Sequence, residues 1–134
     1  MSDPIRILLV EDNRGDADLM EEVIKDTGVS YVLNWVNDGQ KAIDLFEEGN
    51  EADVILLDLN LPKVSGHEVL AFLNDKGVMP KVPVIIMTGS SFQGDIERTM
   101  ENGATCYLLK PMSFEEIAKA TNVLKDIFSG LCTE

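Results

Sequence analysis

Four short apolar runs along the chain each end on a polar residue. Ile5-Arg6-Ile7-Leu8-Leu9-Val10 leads into Glu11-Asp12, and Val54-Ile55-Leu56-Leu57 leads into Asp58. Val84-Ile85-Ile86-Met87 ends on Thr88, and Cys106-Tyr107-Leu108-Leu109 ends on Lys110. Apolar runs this short, without helical spacing, predict strands buried on both faces of a parallel sheet. A further strand is expected over 31–36. Between the strands the apolar period changes to three and four. Ala17, Met20, Val23 and Ile24 share one face of a helix over 14–27, and Ala42, Ile43 and Phe46 one face of a helix over 39–48. Helices are also expected over 66–75 and 93–102, with Gly28, Gly49, Gly77 and Gly103 as stop signals. Ser113 and Glu116 predict a capping box for a last helix reaching about 128. Its inward stripe is expected to be Phe114, Ile117, Ala118, Leu124 and Phe128. Ala120, Val123 and Ile127 widen that apolar arc to roughly 220°, more than one packed side needs. A partner or homodimer surface is therefore expected in that region.

Strand and helix alternate throughout, which implies a doubly wound α/β fold: a five-stranded parallel sheet with helices on both faces. In open α/β sheets the site lies outside the carboxyl ends of the strands. Glu11, Asp12, Asp58, Thr88 and Lys110 are thus delivered to one edge. A chain of 134 residues fits one domain with its own core. No linker or second pattern remains, so a single domain without an output domain is expected.

Composition narrows the function classes. The net charge of -13 disfavours nucleic acid, whose binding depends on basic residues, and points to a protein partner. No apolar stretch approaches a membrane span and no signal peptide precedes Ile5, so no membrane contact and a cytoplasmic location are expected. Cys106 and Cys132 are expected to be reduced. His67, the one histidine, is expected to be exposed, and Trp35 to pack in the core or at an edge.

The chemistry lies at the sheet edge. Two unit charges about 4 Å apart repel by about 4 kcal/mol at an effective dielectric near 20. Gathering Glu11, Asp12 and Asp58 therefore calls for a raised pKa or a bound cation. Carboxylates without nearby His or Cys suit a hard ion, Mg²⁺ first. A carboxylate can also act as a nucleophile toward phosphorus, a reaction that asks mainly for positioning and positive charge. Lys110 offers such charge and Thr88 a hydroxyl donor, with Gly89 leaving room beside it.

These residues give the chain a close resemblance to the response-regulator receiver domains of two-component signalling. The resemblance spans essentially the whole chain and rests on Glu11-Asp12, Asp58, Leu61-Pro62, Gly66, Thr88, Tyr107 and Lys110-Pro111. It implies a flavodoxin-like fold with strand order 2-1-3-4-5 and five helices. It implies Asp58 as the phosphoacceptor, served by Thr88 and Lys110. Mg²⁺ would be bound by Asp12, Asp58 and the Asn60 backbone carbonyl, with Glu11 assisting. The phosphoryl donor would be a histidine kinase or phosphotransfer protein. Thr88 and Tyr107 would form a switch that remodels the face of the fourth helix, fifth strand and fifth helix for a downstream target or a homodimer. Asn60 and Ser90 occupy positions that tune phosphoryl lifetime. Glu11-Asp12-Asn13 and Leu57-Asp58-Leu59-Asn60-Leu61-Pro62 also resemble single-domain regulators that accompany phytochrome-type and hybrid kinases.

Such a protein catalyses only its own phosphorylation and dephosphorylation and is not otherwise an enzyme. Three other readings compete. A phosphatase using aspartyl-phosphate chemistry would place an Asp two residues after the nucleophile, where Asn60 stands. A flavin carrier would need a Ser/Thr-rich loop after the first strand, which is acidic here. A phosphorylation-independent interaction module would not need the full set of site residues.

Overall fold

The structure, a computed structural model, describes residues 4–78, 81–89 and 93–132, with side chains as far as 130. Ser90 lies outside the described residues, as does the side chain of Cys132. Strands β1 (Ile5–Val10), β2 (Tyr31–Val36), β3 (Val54–Leu57), β4 (Val84–Thr88) and β5 (Cys106–Leu109) form one sheet. Helices α1 (Arg14–Asp26), α2 (Gly39–Glu47), α3 (Gly66–Asp75), α4 (Gln93–Glu101) and α5 (Phe114–Cys132) alternate with them. All pairings are parallel, and the strand order is β2-β1-β3-β4-β5, the expected doubly wound arrangement.

Alternation along the strands divides the core into two layers. Ile7, Leu9, Val54, Leu56, Ile85 and Met87 pack with Met20 and Ile24 of α1 and Leu124 and Phe128 of α5. Leu8, Val10, Ile55, Leu57 and Ile86 face Ala42 of α2 and Val69, Leu70 and Leu73 of α3. Side-chain caps fix where helices begin. Asn13 accepts the Asp16 N–H at 2.9 Å, Asp38 the Lys41 N–H at 2.8 Å, and Ser65 with Glu68 closes a capping box on α3.

The structure corrects several expectations. Burial on both faces holds for β3 and β4 but not for β5, an edge strand on which Leu109 is exposed; Val32 is likewise exposed on β2, the other edge. The last helix runs on to Cys132, and its buried stripe is Ala120, Leu124 and Phe128, with Ile117 and Ile127 packed beside it. Phe114 and Ala118, expected inward, are exposed, Phe114 at 90%. Much of the wide apolar arc is thus core contact. The Ser113 box is only half formed: Ser113 Oγ accepts the Glu116 N–H at 3.1 Å, while the Glu116 carboxylate accepts the Met112 N–H at 2.7 Å.

Candidate functional site

Three site residues follow directly on strand ends, and the parallel ladder carries on through each of them. The Glu11 N–H donates to the Val36 carbonyl at 3.1 Å, Asp58 to Val10 at 3.1 Å, and Lys110 to Thr88 at 2.8 Å. Their backbones are therefore held as firmly as the strands. Alternation then sends Glu11, Asp58 and Lys110 to the α1/α5 side, whereas Thr88 and Tyr107 fall on the opposite side.

The three meet. Lys110 Nζ lies 2.9 Å from Glu11 Oε1, 2.9 Å from Asp58 Oδ2 and 2.9 Å from Asp16 Oδ2. Glu11 and Asp58 are almost fully buried, at 2% and 3% exposure. Burial is the main force on Glu11, aided by the Asp58 charge, and against the Lys110 bond it lifts the pKa to about 7. Burial also opposes the charge on Lys110, but its bonds to Asp16, Asp58 and Glu11 outweigh that and raise its pKa. One ammonium does not offset this many carboxylates.

Asp12 is exposed beside them, and one oxygen from each of Glu11, Asp12 and Asp58 comes within 4.8 Å of the others. This all-oxygen donor set, short of positive charge, fits a hard divalent cation. Asn60 follows in an exposed loop, its N–H donating to Asp58 Oδ1 at 3.2 Å. Gly66 starts α3 directly against this loop; a Cβ there would overlap the Asp58 carbonyl oxygen and Leu59 Cα. Lys63 in the same loop holds φ at 67°, a left-handed conformation that costs a non-glycine residue energy.

Thr88 is fully buried and Tyr107 half-buried; they sit on adjacent strands, Tyr107 opposite Ile86 in register. Trp35 is 39% exposed on the edge strand, and its indole N–H donates to the Glu11 carbonyl at 2.7 Å, bracing the acidic loop. His67 is partly buried rather than exposed: its side chain is 12% accessible and its Nε2 lies 3.1 Å from Asp95 Oδ1. The α3 and α4 starts are close enough to enclose it.

With that geometry in place, comparison with known proteins is decisive. The profile of the response regulator receiver domain matches residues 7–122. The chain belongs to the response-regulator receiver family. This receiver is 37% identical over 133 residues to the probable methanogenesis regulatory protein FilR2 of Methanothrix harundinacea, covering 96% of this chain and 86% of that one. It is 34% identical over 122 residues to response regulator Rcp1 of Synechocystis, covering 87% and 83%. A crystal structure of Rcp1 in its Mn²⁺-bound form superposes with a TM-score of 0.82 at 32% identity, over 93% of this chain and 94% of that one. The phosphorylated cyanobacterial phytochrome response regulator RcpA does so at 0.77 and 30% identity, over 93% and 91%.

Asp16 is the residue that reading the sequence missed. An acid in a first helical turn passes as ordinary helix-dipole compensation. The available signal was its place in the helix that opens directly after Glu11-Asp12. Among the described residues, no helix is long and apolar enough to cross a membrane.

Proposed function

We propose that this receiver takes a phosphoryl group onto Asp58 from a histidine kinase or phosphotransfer protein, and passes the signal to a protein target. The observation that carries the reading is the Lys110 ammonium bonded at once to Asp58 and Glu11 beside a convergent acid trio. Glu11, Asp12, Asp58 and the Asn60 backbone carbonyl would hold Mg²⁺. When bound, the ion would supply positive charge for the phosphoryl oxygens. An Asp58 carboxylate oxygen forms the new bond to phosphorus as the donor's bond breaks. Lys110 exchanges its Asp58 contact for a phosphoryl oxygen, and the Thr88 hydroxyl donates to another.

Thr88 and Tyr107 form the switch, since they stand on the paired strands β4 and β5, on the sheet side opposite the lysine. The output face is α4-β5-α5, where Met100, Leu109, Met112 and Phe114 are exposed and support docking of a target or a second copy. The acidic surface disfavours nucleic acid. We place the protein in the cytoplasm and hold its only catalysis to be its own phosphorylation and dephosphorylation.

The test is incubation with Mg²⁺ and acetyl phosphate, followed by mapping of the alkali- and hydroxylamine-labile acyl-phosphate label. Label on Asp58 that disappears in Asp58→Asn is expected. Label surviving that substitution would falsify the assignment, and multiple turnover of small phosphate esters would favour a hydrolase instead.

A further inference from the structure

We infer that Asp16 is a positioning residue: it holds one N–H of the Lys110 ammonium that a phosphoryl group on Asp58 would need, and so restrains phosphoryl uptake. This rests on the reading of Asp58 as acceptor. An ammonium has three N–H donors, and on Lys110 three carboxylates take them, each at 2.9 Å. The three partners are not alike. The Glu11 and Asp58 side chains are 2% and 3% exposed, whereas that of Asp16 is 40% exposed. The first two follow strand ends, but Asp16 belongs to α1, where its N–H is bound to the Asn13 cap at 2.9 Å. Among the described residues the acids that converge for a cation are Glu11, Asp12 and Asp58, and Asp16 stands outside that set.

The consequence is electrostatic. A cation on the converging acids draws on the charge of Glu11 and Asp58 and weakens their hold on the ammonium. Asp16 keeps its full charge and becomes the strongest partner Lys110 has. During transfer an Asp58 oxygen bonds to phosphorus while the bond from phosphorus to the donor atom breaks, an imidazole nitrogen on a phosphohistidine; with acetyl phosphate, acetate leaves with the electron pair. The phosphoryl oxygens then need the ammonium that Asp16 holds, and the Asp16 charge repels them as well. Both effects act against uptake, and both vanish when the carboxylate is neutralised.

Equilibrium binding of beryllofluoride at saturating Mg²⁺, and of Mg²⁺ alone, reads this directly in the full chain. Asp16→Asn is expected to bind the anionic mimic about three to ten times more tightly and Mg²⁺ about two times more weakly, allowing for solvent screening of a partly exposed charge. Asp16→Ser should move both affinities the same way, and Asp16→Glu, which keeps the charge, should restore both toward the wild type. Opposite shifts for anion and cation do not arise from damaged packing, which would weaken both. Unchanged or weaker mimic binding in Asp16→Asn and Asp16→Ser overturns the inference, as does a Glu variant that behaves like Asn. If the wild type itself binds no mimic and takes no label, the acceptor reading fails and the tether with it. A labelled wild type with unresponsive Asp16 variants sinks the tether alone.

Discussion

The two ends of the sheet solve the same charge problem in opposite ways. At the amino ends, Arg6 meets Asp53 through Nε at 3.2 Å and Nη2 at 3.0 Å, and Glu51 through Nη1 at 3.2 Å. Backbone bonds complete the contact: Arg6 N–H to Asp53 Oδ2 at 2.8 Å and Asp53 N–H to the Arg6 carbonyl at 2.8 Å. These side chains are open to water, with Arg6 51% and Glu51 74% exposed. The bond to Arg6 holds the Asp53 carboxyl below its ordinary range, so the carboxylate is content. At the carboxyl ends a single ammonium serves Glu11, Asp16 and Asp58, two of them buried, and Glu11 is pushed the other way. Burial, more than the count of charges, separates a structural clasp from a site that calls for a cation.

Substitutions can break that contrast, and their signs differ. The largest effect is expected from Lys110→Met, which leaves Glu11 and Asp58 buried without a cation. It should cost about 3 kcal/mol of stability in urea denaturation without metal, and Mg²⁺ should recover most of it. An equal loss with and without Mg²⁺ would argue that the acids do not share an ion.

Glu11→Gln should do the reverse. The folded chain holds the Glu11 proton up to about pH 7, whereas the unfolded chain releases it near the ordinary value of 4.5. The stability this proton contributes is fully present below 4.5 and is lost as pH rises through about 7. The metal-free Gln variant should therefore gain about 2 kcal/mol on the wild type between acidic and mildly alkaline buffer. A gap between the two proteins that does not change with pH would remove buried-charge repulsion as its cause.

The smallest effect belongs to the open end. Asp53→Asn should lower Tm by about 2–4 °C, an effect that shrinks in about 1 M salt as screening replaces the lost pair. A larger, salt-insensitive drop would mean that the clasp is no weaker than the buried cluster.

Much of this was legible along the chain because the signals are local. The β3 run Val54–Leu57 and the β4 run Val84–Met87 are uninterrupted, and the observed strands end within one residue of where these runs place them. Helix α3 begins and stops at the expected residues because Ser65 caps it and Gly77, at φ 74°, turns the chain away. Legibility failed where exposure depends on what lies across from a residue. Phe114 fits an inward stripe but is exposed, and His67, which its sequence neighbours place at the surface, meets Asp95 of α4.

By itself the sequence determined that Glu11, Asp12, Asp58, Thr88 and Lys110 would reach one edge, because strand period and direction are properties of neighbouring residues. Only the tertiary structure decided how they are shared out: which side of the sheet each one faces, and which acids the lysine holds. The Lys110–Asp16 bond joins positions 94 residues apart, and nothing in either segment encodes it. It exists because α1 packs beside the sheet with its first turn at the level of the strand ends, a placement that the buried faces of Met20 and Ile24 impose.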